Sequence, residues 1–484
     1  MLFNSYEFIF AFLPVSVMIF ILCQRVGNKE LTSLWLIVCS LFFYGWWNPS
    51  YLPLILLSIL VNFSLAKKIH SLSTINNPLS AKLFLLLGIG LNLLLLGYFK
   101  YANFFIENIN VVIDTEHSTL NIVLPLAISF FTFQQITYLV DTYKQEVESH
   151  RVLDYLLFVT FFPQLIAGPI VHHKEMMPQF SNPKFLTLNT SNIAKGLSIF
   201  SLGLFKKVII ADYFASLANP IFNQASADMI ANSTTAWTGA IAYTLQLYFD
   251  FSGYSDMAIG LALIFGITLP YNFNSPYKAK NIIDFWRRWH MTLSRFLKDY
   301  VYIPLGGNKK GNVRRYTNLM ITMLLGGLWH GAGWTFILWG LLHGIYLTLN
   351  HSWQTLVNSK PHRLSFLSST FGRLLTFLSI VLAWVIFRSE NIPTAINIIQ
   401  QMLIINPEGF SQHLESIPSL IIGLFLVWFA PNSNDIFSNK VKPDVYRLDY
   451  RWHPSKASAL TFSIIGFISV IYLARAQEFL YFQF

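Results

Sequence analysis

The chain has 484 residues, of which 54% are apolar, 16% aromatic and only 12% charged, with a mean hydropathy of +0.49. A soluble domain carries about 25% charged residues, so a soluble enzyme of this size, a disordered chain and a secreted scaffold are excluded. Two cysteines, Cys23 and Cys39, offer neither a disulfide framework nor a metal knuckle. What remains is a polytopic membrane protein.

The apolar windows agree. Phe8–Gln24 and Leu31–Ala66 contain no Asp, Glu, Lys or Arg, and the second is long enough for two spans that turn at Trp46, Trp47, Asn48 and Pro49. The first lacks a basic lead-in and a small-residue cleavage site, so it is expected to be a span, not a signal peptide. Further windows follow at Leu83–Phe99, Tyr155–Val171, Met229–Phe249, Met257–Tyr277, Tyr316–Ser359, Ser416–Asn434 and Ala459–Ala474. Shorter runs at Ile122–Val140, Ile193–Phe205 and Leu374–Phe387 span, lie in the interface or re-enter. The expectation is an all-α fold of ten to twelve spans, forming one membrane-embedded domain over residues 1–484. Arg25, Lys29, Lys67, Lys68 and Lys82 fall in alternate early loops, which puts the N-terminus outside.

Residues 270–316 break the pattern with ten basic and two acidic residues, +8 of the chain's formal +10. One reading is a cytoplasmic loop that obeys the positive-inside rule. The other is a basic amphipathic helix with Trp286 and Trp289 on one face, lying in the membrane interface. Its cations, Arg287 and Arg288 first, would then bind the phosphates of a donor such as coenzyme A. The positive charge implies no nucleic acid in so apolar a chain.

Of twelve histidines, His70, His117, His150, His351, His362, His413 and His453 sit near loop ends, and His172 and His173 follow Gly168-Pro169 in what reads as a solvated loop. No HExxH or similar cluster is present, so no metal site is expected. His330 differs. It lies in Leu324-Leu325-Gly326-Gly327-Leu328-Trp329-His330-Gly331-Ala332-Gly333-Trp334, inside the 44-residue uncharged window. An ionisable group at membrane depth is a functional-site hypothesis by default, and broken backbone there must be buried in protein or line a cavity. Desolvation favours the neutral imidazole, a base at pH 7. The alternative is a histidine that ties two helices together.

His343, 13 residues on, would face away on a continuous helix and reads as structural. His290, at the end of the Phe285–His290 run, is a second catalytic group or an orienting one. Asp250 and Asp256 interrupt uncharged windows and must have partners, which nearby cations would supply.

Pro270-Tyr271-Asn272-Phe273, Ser275-Pro276-Tyr277, Phe285-Trp286-Arg287-Arg288-Trp289-His290, Tyr302-Ile303-Pro304-Leu305-Gly306-Gly307 and Gly327-Leu328-Trp329-His330-Gly331 follow one another as in the membrane-bound O-acyltransferases. The sequence resembles that family most closely over 245–350. Its opening Met1–Pro14 and closing Phe479-Leu480-Tyr481-Phe482-Gln483-Phe484 resemble the bacterial alginate O-acetylase branch. The resemblance implies His330 as the catalytic histidine and His290 as the second active-site position. It also implies a pore joining a cytoplasmic donor to an acceptor outside.

The expected activity is transfer of an acyl group, acetyl first, from a cytoplasmic thioester such as acetyl-CoA to hydroxyls of an exported alginate-like polysaccharide. No bound cofactor is expected. A periplasmic acetyl-handling protein and the exopolysaccharide machinery of a bacterial inner membrane are the implied partners. Peptidoglycan or another envelope polymer is the alternative acceptor. A transporter is the rival class, although no internal repeat is visible.

Overall fold

The computed structural model describes residues 1–147, 151–182, 189–226, 232–357, 365–404, 415–438, 451–477 and 479–480. His150, His362, His413 and the closing Tyr481–Phe484 lie outside the described residues. Every regular element among the described residues is helical, so the fold is all-α. Among the described residues, five helical stretches are long and apolar enough to cross a membrane: Glu7–Arg25, Pro49–Thr74, Pro78–Ile113, Ser369–Arg388 and Lys456–Arg475. Some of the charge-free sequence windows are not single helices. Tyr155–Val171, for example, divides at Phe161 into Val152–Thr160 and Phe162–Leu165.

The chain forms two compact units. The first comprises Met1–Leu202, Tyr254–Pro270 and Pro454–Phe467. It contains α1 (Leu13–Arg25), α2 (Lys29–Gly45), α3 (Leu52–Thr74), α4 (Pro78–Leu96) and α5 (Ile128–Tyr143). Asn28 starts α2 by accepting from the N–H groups of Glu30 and Leu31 at 2.9 and 3.1 Å, which satisfies two donors left over by the helix. Between α3 and α4 the amides of Asn62 and Asn92 exchange hydrogen bonds at 2.6 and 3.3 Å. Such pairs hold membrane helices together where lipid removes the hydrophobic drive. Elsewhere in this unit Phe3, Phe8, Phe12, Phe43 and Phe162 pack their rings against one another. His173 is buried, with Nδ1 3.2 Å from Asp141, and so is not the solvated loop residue its Gly-Pro neighbourhood suggests.

The second unit comprises Gly203–Gly253, Tyr271–His453 and Ile468–Phe484. Its helices include α6 (Asp212–Ser226), the stretch of α7 (Ser233–Ile264) up to Gly253, α8 (Ile282–Trp286), α9 (Met291–Leu297), α10 (Gly311–His330), α11 (Trp334–Val357) and α12 (Ser365–Arg388). Helices α10 and α11 form an antiparallel hairpin. Its seam is glycine: a Cβ on Gly340 would collide with the Met323 carbonyl oxygen, and one on Gly327 with that of Phe336. Only a residue without a side chain permits this approach.

Before the hairpin, residues 271–297 form a strap of short helices and turns. Asn274 N–H bonds to the Arg288 carbonyl and Met291 N–H to that of Asn272, both at 2.9 Å, closing the loop that ends at His290. Tyr277 Oη donates to the Thr244 carbonyl of α7 at 2.8 Å and fixes the strap to that helix. The single amphipathic interfacial helix expected here does not form. Helix α8 ends at Trp286, and Trp289 is buried against Trp384 and Phe273 at ring distances of 4.9 and 5.0 Å. These tryptophans pack the interior because the loop closure turns the chain at 287–290.

The glycine seam is directly testable. Gly340→Ala should lower stability by about 1–3 kcal/mol, the usual cost of overpacking. Gly90→Ala in α4, whose Cβ meets nothing within 4 Å, should leave the melting temperature of the detergent-solubilised protein unchanged or raised. Equal melting curves for both variants would contradict the close contact.

Candidate functional site

His330 is the last residue of α10 and is 6% exposed. Beyond it Gly331 is extended (φ −159°, ψ 154°), so the helix stops at the imidazole. The rings of Trp329, Trp339 and Phe387 lie 5.0, 5.1 and 5.3 Å from it, the latter two nearly edge-on. His330 lines a cavity of about 20 Å³, little more than the space of one water. Asp250 is the other ionisable group on its wall, and Phe251, Trp289, Trp384, Phe387, Phe479 and Leu480 make most of the rest.

His290 is fully buried and caps the N-terminus of α9 in the left-handed region, with φ +42°. A non-glycine residue stays there only where its surroundings hold it, and such strain clusters at functional sites. Its Nδ1 lies 3.0 Å from Asn272 Oδ1. That oxygen already accepts from Thr292 N–H at 3.3 Å and Thr292 Oγ1 at 2.9 Å, so Nδ1 is assigned as the donor. Nε2 keeps its lone pair and is buried with no hydrogen-bond partner among the described residues. The ring stands edge-on to Phe251 at 4.8 Å and 6.2 Å from Trp329. Trp329 thus lies near both imidazoles, although His290 is not among the residues that line the His330 cavity.

His343 is where sequence reasoning fell short. A continuous helix would face it away from His330, but the chain breaks at Gly331 and α11 turns back. Trp339 then stands beside both, 5.1 Å from His330 and 4.6 Å from His343. His343 Nδ1 accepts from Trp286 Nε1 at 3.2 Å, which ties the strap to the hairpin.

The acids and cations divide unexpectedly. Asp250 finds its cation in Lys207 at 2.8 Å, outside the basic segment, and Lys207 also reaches Asp212 at 2.7 Å. All three side chains are buried, and the second oxygen of each carboxylate accepts a backbone N–H, from Leu480 and Gln477, both at 3.0 Å. The signal in the sequence was Lys206-Lys207 directly after an uncharged run, easily mistaken for a loop. Asp256 is buried as well.

In the basic segment, Arg288 Nε pairs with Asp284 at 2.8 Å and Nη1 donates to the Asn274 carbonyl at 3.2 Å, whereas Arg287 is exposed. Arg315 lies on α10 with Nη2 2.6 Å from His351 Nδ1 on α11. Among the described residues no three His, Cys, Asp or Glu side chains converge as a metal ion would need.

A glycine-seamed hairpin ending in a buried histidine beside a strained second one sits within a region that known sequences share. The profile of the membrane-bound O-acyltransferase family matches residues 142–387. The chain is 44% identical to the peptidoglycan O-acetyltransferase of Helicobacter pylori, over 100% of this chain and 98% of the relative. It is 42% identical to the protein named "Probable alginate O-acetylase AlgI" of Pseudomonas aeruginosa, over 82% of this chain and 73% of the relative. A teichoic acid D-alanyltransferase of Streptococcus thermophilus is 29% identical over 56% of this chain and 70% of its own length. The chain belongs to the membrane-bound O-acyltransferase family. It is a multi-pass membrane enzyme, an acyltransferase.

The Lys207 bridge makes a prediction of its own. Lys207→Met removes the cation from two buried carboxylates and should destabilise the protein by roughly 3–5 kcal/mol, as breaking buried pairs does. A near-normal melting temperature for the solubilised variant would show that the bridge carries no such weight.

Proposed function

We propose that this enzyme transfers an acetyl group from a cytoplasmic thioester, acetyl-CoA or an equivalent carrier, to hydroxyls of an exported cell-envelope polysaccharide. The observation that carries this reading is His330, held at the end of a broken helix and facing a small, largely apolar cavity. An imidazole there can take the proton of a hydroxyl as its oxygen attacks the thioester carbonyl. The C–O bond forms, the C–S bond breaks, and the imidazolium returns the proton to the departing thiolate. Positioned base catalysis of this kind contributes typically about 10²–10⁴-fold.

His290 offers only an acceptor at Nε2, because Nδ1–H is engaged by Asn272. That suits it to orient the attacking hydroxyl and not, as a neutral ring, to donate to the oxyanion. The indole N–H of Trp339, buried without a partner among the described residues, is a donor of the kind the oxyanion needs.

Two acceptors fit the relatives. Peptidoglycan is supported by the name of a relative that matches along the whole chain, and an alginate-like polymer by those named as alginate O-acetylases. The described chain consists of helices and short connections, so a periplasmic partner that passes the acetyl to a polymer belongs to the same reading. The location is the bacterial inner membrane, with residues 270–316 on the cytoplasmic side where the donor is made.

His330→Ala and His330→Gln should each lower polymer acetylation in cells by about 100-fold or more, with protein amounts in the membrane near normal. Glutamine keeps a hydrogen bond but cannot accept the proton. Substantial acetylation by the Gln variant would move the base to His290.

The two arginines should separate. Exposed Arg287 is the donor-phosphate candidate, so Arg287→Ala should raise KM for the thioester several-fold at unchanged kcat. Arg288 is committed to Asp284 and Asn274, so Arg288→Ala should reduce the amount of folded protein instead. An unchanged donor KM for Arg287→Ala would leave that arginine a topology determinant.

A further inference from the structure

One wall of the His330 cavity comes from chain distant in sequence. Phe479 and Leu480 border it and are 1% and 4% exposed. They are held from two sides. Leu480 N–H bonds to Asp250, Gln477 N–H bonds to Asp212, and Lys207 joins the two carboxylates. The Gln477 side chain is gripped as well, its Oε1 accepting from Asn219 Nδ2 at 3.2 Å. Charge-assisted bonds in a buried setting are short and strong, so this wall cannot retreat without exposing an unsatisfied ion network.

The aromatic wall is no more yielding. Trp384 packs against Trp289 and Phe387 at ring distances of 4.9 and 5.5 Å. A space of about 20 Å³ with this lining fits an acetyl methyl closely, and added methylenes would press on these walls.

We propose that Phe479 and Leu480, locked by the Lys207–Asp212–Asp250 bridge, set the acyl-size limit of the enzyme and restrict it to two-carbon donors. This rests on the reading above, in which the acyl group is handled beside His330. Leu480 is the critical position because its side chain is aliphatic and can be shortened without dismantling the aromatic wall. One methylene against a fixed apolar wall is worth about 10- to 200-fold in discrimination.

The test is a competition that cancels expression level. Membranes holding the full-length enzyme and its own acceptor polymer receive equimolar acetyl-CoA and butyryl-CoA, and ester-bound acetate and butyrate are released by mild base and counted. The wild type should show an acetate excess of at least about tenfold, and Leu480→Ala should reduce that excess about tenfold or more. Leu480→Val, a smaller change for use if the alanine variant does not fold, should shift the ratio in the same direction. Leu480→Phe should fill the cavity and cut acetate transfer itself. An acetate-to-butyrate ratio that stays at the wild-type value in an active Leu480 variant overturns the proposal, as does a wild type that takes both donors equally. Transfer of neither group by the wild type would instead overturn the acyl-transfer reading on which it stands.

Discussion

A helix that stops in the interior of a membrane protein must bury its loose backbone in protein or turn it toward a cavity. In this enzyme both happen at His330. Helix α10 ends there, Gly331 leaves in an extended conformation, and α11 returns along a seam of glycines close enough for backbone to touch backbone. That return stands Trp339 between His330 and His343, and brings Trp286 within hydrogen-bond reach of the hairpin. The strap, the aromatic wall and the cavity all take their positions from it.

The second organising device is ionic. A buried ion bridge is weak grounds for stability, since desolvation offsets much of the Coulomb attraction. Its use here is topological: one lysine and two carboxylates connect residues 207, 212 and 250 to backbone at 477 and 480. Each carboxylate spends its remaining oxygen on an N–H, so little acceptor capacity is left unused. This wall of the cavity is therefore fixed by polar contacts, while Phe479 and Leu480 present apolar side chains to the cavity. Rigidity and an apolar lining are obtained from different atoms of the same segment.

Composition and charge-free windows were enough to read an all-α membrane fold, because lipid leaves few alternatives. The hairpin was legible as two spans within 316–359, and His330 as the odd ionisable residue in an uncharged window. The ordered motifs of residues 270–331 carried the family. What could not be read depended on where the chain turns in three dimensions. Trp286 and Trp289 have helical spacing, yet the loop closed by Asn272 and Asn274 ends α8 between them and folds Trp289 inward. His343 was assigned to the far side by counting along a helix that does not continue. His173 looked solvated beside Gly168-Pro169 and is buried against Asp141. Lys207 gave no periodicity or motif to mark it, since its partners lie five and 43 positions away.

His290 and His330 stand in different surroundings, and the hydrogen bonds around His290 have chemical content. His290 has one nitrogen fixed by Asn272, whose oxygen is itself fixed by both donors of Thr292, so its tautomer follows from the surrounding hydrogen bonds. Its strained φ of +42° aims the ring from a helix N-cap and leaves it no freedom to swing. His330 packs among the rings of Trp329, Trp339 and Phe387 and faces the cavity. A ring that orients a hydroxyl needs one tautomer and one orientation, and the hydrogen-bonded clamp on His290 suits that task.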